Sequence, residues 1–139
     1  MNSKITLTEA VKFHGHLGPY LILGTLAGEL ALKKLRCKKY LGLEVKVWGA
    51  TQKPKSCLLD GLQLSTGATY GKGNINKFNG SIIKVEFRNK INQKKVILKF
   101  KNSLIKKLEE VKTHKDAEIL AKQLYKANYS NLFNLELKA

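Results

Sequence analysis

Two hydrophobic periods run along this chain, and the switches between them divide it into elements. "TLTEAVKF" (6–13) has helical spacing, with Thr6 or Thr8 as a cap and Glu9 near the first turn. That helix breaks at Gly15, Gly18 and Pro19. "PYLILGTLAGELALKKLRCKK" (19–39) restarts it, with proline suited to a first turn. Leu21, Gly24, Gly28, Ala31 and Leu35 recur at three-to-four spacing, and the two glycines predict close packing against another element. "LEVKVWGAT" (43–51) alternates apolar and polar residues like a half-buried strand. "KSCLLDGLQLSTGATYG" (55–71) reads as a helix that Ser56 caps and Gly67 ends, followed by a "GKGN" loop. Residues 75–90 and 94–102 read as two or three strands joined by asparagine-containing turns. From Ser103 to about Tyr129 the spacing of Leu104, Leu108, Val111, Leu120 and Leu124 predicts one long amphipathic helix. The expected fold class is α+β: a two-layer domain with a mixed sheet against helices, plus that C-terminal helix.

Length and composition narrow the setting. A chain of 139 residues is expected to form one domain over 1–139, able to bury roughly two-thirds of the surface its unfolded form exposes. No apolar run approaches the ~20 residues of a membrane span, and "MNSKITLTEAVKF" lacks a signal-peptide core, so no membrane association and a cytoplasmic location are expected. Cys37 and Cys57 cannot build a disulfide framework and read as free thiols.

The net charge of +16 raises nucleic acid as a partner. Only Arg36 and Arg88 are arginines, however, and base or bidentate phosphate recognition favours arginine over lysine. The lysines are spread along the chain with no aromatic-interleaved motif, so any nucleic-acid binding is expected to be weak and non-specific.

Two segments carry candidate chemistry. In "KFHGHLGPYLILG" (12–24), His14 and His16 would point to opposite sides of a continuous helix, because successive residues turn about 100°. They can serve one site only where the backbone leaves the helix, which Gly15, Gly18 and Pro19 permit. Imidazoles suit zinc, copper, iron and nickel, and the helix starting near Pro19 turns its positive end to this knot. A polar turn is the plainer reading of a single His-Gly-His. In the second segment (57–74), Cys57, Asp60 and Leu64 share a helical face, and Gln63, Ser65 and Thr66 crowd its last turn before a glycine-rich loop. Such a loop can form an anion nest, with Lys72 adding charge, or it can simply turn the chain. It is not a nucleotide P-loop: "GATYGKG" is one residue short, and Gly73 stands where a magnesium-binding hydroxyl belongs. No nucleotide cofactor is predicted. His114, among Lys112, Thr113, Lys115 and Asp116, reads as exposed.

"FHGHLGP" followed by a glycine-containing helix, and then "CLLDGLQLSTGATYGKGN", resemble the FmdE family of formylmethanofuran dehydrogenase components over roughly residues 5–100. The resemblance implies an α-β-α-β-β-β core with a mixed sheet. It also implies a metal site, with zinc or another transition metal held by His14, His16 and Cys57. Asp60, Gln63, Thr66, Thr69, Lys72 and Asn74 match further motif positions, as a second shell or ligand-binding set. Two family cysteines are absent here, replaced by Gly18 and Ala68. Three protein ligands with one open place is the pattern of a catalytic rather than a structural zinc. Many family members carry a C-terminal zinc ribbon; this chain has no Cys-x-x-Cys and resembles the core alone.

The function expected from these readings is a metal-binding, FmdE-like protein with a small anionic ligand near the GKGN loop and a second copy of the chain as partner, a homodimer. Two alternatives stay open. One is a non-catalytic small-ligand-binding or assembly module that has lost the metal. The other is a basic, nucleic-acid-associated protein.

Overall fold

The structure, a computed structural model, describes residues 4–139. Helix α1 (Leu7–His14) starts where Thr6 accepts the Glu9 N–H at 3.0 Å and Glu9 accepts the Thr6 N–H at 3.1 Å, a reciprocal cap. It ends at Gly15, whose φ of 111° lies in the left-handed region that glycine enters freely. Helix α2 (Pro19–Leu35) is buried nearly all round and forms the centre of the helical layer. Strand β1 (Leu43–Trp48) stops at Gly49, with φ 78°. Helix α3 (Cys57–Thr66) ends as expected at Gly67, whose φ is 76° and whose N–H donates to the Gln63 carbonyl at 2.9 Å. The expected Ser56 cap does not form. Ser56 has helical φ and ψ and makes no side-chain cap bond, because a tight turn leads into α3 and already uses the amides of 57–59.

Strands β2 (Ile75–Phe78), β3 (Lys84–Asn89) and β4 (Lys95–Phe100) follow. With β5 (Phe133–Lys138) they form a mixed sheet in the order β2-β1-β3-β4-β5, in which only β1 and β2 run parallel. Alternation sets the faces. Val45 lies opposite Phe87, Val47 opposite Val85 and Phe87 opposite Val96, all buried beneath the helices. The outer face is charged, with ion pairs Glu44–Arg88 at 3.0 Å and Lys95–Glu86 at 3.7 Å.

The glycine stripe of α2 meets α3. A Cβ on Gly24 would lie 2.3 Å from the Leu58 carbonyl oxygen, and one on Gly61 would lie 2.1 Å from that of Leu21. The two backbones are therefore in direct contact, which fixes where Cys57 and Asp60 stand relative to α1 and α2.

The long C-terminal helix is a correction. Residues 102–138 form α4 (Asn102–Glu109), α5 (His114–Tyr125), the short α6 (Tyr129–Leu132) and β5. Thr113 breaks the run. It is extended at φ −130° and accepts the Asp116 N–H at 3.0 Å, while Asp116 accepts the Lys112 N–H at 3.2 Å. Two local side-chain bonds thus restart the helix instead of continuing it. Helix α5 packs on α2. The Tyr125 hydroxyl donates to the Ile5 carbonyl at 2.8 Å, and the Ile5 N–H donates to Glu29 of α2 at 2.9 Å. Burial pushes the Glu29 carboxyl above its ordinary range despite that bond and the nearby Lys4 and Lys39. Among the described residues, no helix is long and apolar enough to cross a membrane.

Candidate functional site

The break after α1 does what the His-Gly-His spacing requires. His14 is the last residue of α1; the chain then reverses through Gly15, and His16 returns beside it. Their ring centroids are 4.7 Å apart at 44°. His14 is mostly enclosed, with 11% of its side chain exposed, whereas His16 is exposed.

Asp60 on α3 fixes His14. Its Oδ2 lies 2.6 Å from His14 Nδ1, across 46 positions of sequence. An ionised carboxylate only accepts, so Nδ1 donates, and the lone pair of a neutral ring is left on Nε2. That Nε2 is buried and has no hydrogen-bond partner. A buried polar nitrogen without a partner is costly, and one aimed by a carboxylate is the arrangement found where a histidine ligates a metal.

His14, His16 and Cys57 line one cavity of about 370 Å³. Cys57 is the first residue of α3 and half-buried; burial, and next the Asp60 charge, push its thiol above the ordinary range, against a smaller opposing effect of Lys53. Gly18, the first departure from the family motif, also lines the cavity. A Cβ there would sit 3.9 Å from His16 Nε2, so glycine leaves open the space a thiol would take.

The other motif residues lie elsewhere. Helix α3 is about 15 Å long, and Gln63 to Asn74 belong to its far end and the loop beyond it. There the Thr69 N–H donates to Asn74 Oδ1 at 2.8 Å, the Tyr70 N–H to Gln63 Oε1 at 3.1 Å and the Lys72 N–H to Thr69 Oγ1 at 3.2 Å. Thr66 bonds the Leu62 carbonyl, Asn74 bonds the carbonyls of Tyr40 and Leu43, and the Lys72 ammonium donates to the Gly67 carbonyl. These five polar side chains hold the loop together, and none lines the cavity. Ala68, the second departure, is buried at that same end.

The residue that sequence reasoning missed is His114. It is exposed, as expected, but as the first residue of α5 it lines the cavity with His14, His16 and Cys57. The Thr-x-x-Asp cap at 113–116 was the available signal, since it ends one helix and starts another at this point.

Known proteins share both this fold and these motifs. Residues 13–137 match the family FmdE, described as "Molybdenum formylmethanofuran dehydrogenase operon". A protein of Archaeoglobus fulgidus described as "Probable S-adenosyl-L-methionine-binding protein" is 33% identical over 79 residues, covering 52% of this chain and 21% of that protein. The chain thus spans about a fifth of the length of that curated relative. The crystal structure of an FmdE-like protein of tungsten formylmethanofuran dehydrogenase from Syntrophus aciditrophicus superposes with a TM-score of 0.69 at 22% identity, covering 96% of this chain and 70% of that one. At that identity the likeness shows a common fold.

Proposed function

The chain belongs to the FmdE family, and from that premise we propose that it is a metal-binding protein whose ion, zinc or another transition metal, is held at His14 Nε2, with His16 and Cys57 as the further ligands. One observation carries the reading: Nε2 of His14 is buried and unpartnered while Asp60 holds Nδ1. Asp60 then orients the imidazole and raises its basicity, as carboxylates behind metal-binding histidines do. His16 is exposed and follows the flexible Gly15, so its ring can turn toward the same ion. Cys57 would lose its proton on binding, since a coordinating thiol is deprotonated outright. The open space beside Gly18 is where a fourth, exchangeable ligand would enter, and a metal there would supply Lewis-acid activation of that ligand.

A second reading, a small-ligand-binding module without metal, is favoured by one fact. Among the described residues, no three His, Cys, Asp or Glu side chains converge to hold an ion.

Elemental mass spectrometry of untagged protein, beside the His14→Ala, His16→Ala double variant, separates the two. Close to one transition metal per chain, lost in the variant, is the expected result. No uptake after reconstitution with zinc, cobalt, nickel and iron would overturn the metal reading in favour of the second.

A further inference from the structure

The cavity is far larger than an ion needs, and its walls are uneven. Tyr20, Leu21, Leu108, Val111 and Ala117 line it with apolar surface from α2, α4 and α5. Its ionisable lining comprises the three imidazoles, Cys57, Tyr20 and Lys112; among the described residues, no carboxylate lines it. The acids beside it are turned to other partners: Asp60 to His14 Nδ1, and Asp116 to the Lys112 N–H. Helix α2 begins at Pro19 on the cavity wall with no side-chain cap, so its positive end adds to the same sign. The Lys112 ammonium reaches only the Glu109 carbonyl, at 3.4 Å. Burial raises the Tyr20 phenol, which therefore stays a donor at neutral pH.

We infer that this cavity binds a small organic monocarboxylate with an apolar body about the size of one aromatic ring. The volume lies in the range of small-molecule sites, which are mostly apolar with a few convergent polar groups. Leu108, Val111 and Ala117 would cover the body, and the carboxylate would meet the end of α2, the imidazoles and Lys112. A single negative charge matches because, among the described residues, Lys112 is the one permanent cation in the lining, and a dianion would pay more desolvation than it can recover. This deepens the reading above and rests on it only in taking this cavity as the site; it does not require the metal.

The test is isothermal titration of metal-depleted and of zinc-reconstituted protein with phenylacetate, 2-phenylethanol and 2-phenylethylamine, which share a body and differ in charge. The expected result is saturable 1:1 binding of phenylacetate, at least tenfold tighter than the alcohol, with no binding of the amine. Ala117→Leu, which fills the apolar end, should weaken phenylacetate at least tenfold, and Lys112→Gln, on an exposed residue, at least threefold. Equal binding of the three compounds, no phenylacetate binding in either metal state, or unchanged binding in Lys112→Gln would overturn the inference, whether or not Ala117→Leu folds. Zinc uptake without phenylacetate binding sinks this inference and leaves the metal reading standing. Phenylacetate binding by protein that takes up no zinc does the reverse.

Discussion

Gly61→Ala tests the contact on which the site geometry depends. The new Cβ would lie 2.1 Å from the Leu21 carbonyl oxygen and 2.8 Å from both Gly24 Cα and Thr25 N. All three are backbone atoms of α2, so no side chain can turn away; the helices must part by roughly 1 Å to restore ordinary contact distances. Overpacking of this kind costs about 1–3 kcal/mol and occasionally more. Alanine's better helix propensity returns up to about 1 kcal/mol. Because α2 carries the buried Leu21, Ile22, Leu23 and Leu26, its displacement loosens the core beneath it. The expected net loss is about 2 kcal/mol, or a fall in Tm on the order of 5–10 °C for a chain of this size. Urea unfolding followed by the single tryptophan, Trp48, and by far-UV circular dichroism measures it. Gly71→Ala is the control: its nearest neighbour would be 3.9 Å away, and a change within about 0.5 kcal/mol is expected. Gly24→Ala strains the same crossing from the other side, so the double variant should cost less than the two single losses together. A Gly61→Ala protein as stable as wild type would refute the argument that backbone contact sets the α2–α3 spacing.

Three further outcomes are expected. Cys57→Ser should lower metal affinity at least tenfold in a chelator competition, and equal affinity would remove Cys57 from the ligand set. Glu29→Gln keeps an oxygen to accept the Ile5 N–H but removes a carboxyl that burial raises above its usual 4.5. The folded wild type binds the proton more tightly than the unfolded chain, so it loses stability relative to the variant as pH rises from 4.5 through the raised value. Urea midpoints at pH 4 and above should converge at the acid end and diverge in favour of glutamine toward neutrality; the opposite slope would contradict the burial argument. Thr113→Ala removes the cap that starts α5 and should cost about 1 kcal/mol in the same unfolding assay, with an unchanged midpoint counting against that cap as the cause of the break.

The sequence by itself determined the elements whose causes are local. Thr6 and Glu9 start α1, Gly15 and Pro19 separate it from α2, Gly67 ends α3, and alternation marks β1, β3 and β4. It also flagged His14, His16, Cys57 and Asp60, and the α2 glycines that promised a close neighbour. The C-terminal third was less legible. Leucines on either side of Thr113 keep helical spacing across the break, so periodicity alone fuses α4 with α5. In β5 the alternation of Phe133, Leu135 and Leu137 is short, and Leu135 and Leu137 stay largely exposed at the sheet edge.

Only the tertiary structure decided which motif residues share a site. Asp60 reaches His14 because Gly24 and Gly61 let two helix backbones touch, a contact between residues far apart in the chain. Gln63, Thr66, Thr69, Lys72 and Asn74 adjoin Asp60 in sequence, yet the length of α3 carries them to its far end, where their hydrogen bonds close a loop. His114 is 100 positions from His14 and enters the same cavity because α5 packs on α2. Spacing along a chain fixes which side chains share a face of one element, whereas convergence of several elements on a cavity depends on the non-local packing that sets their relative positions.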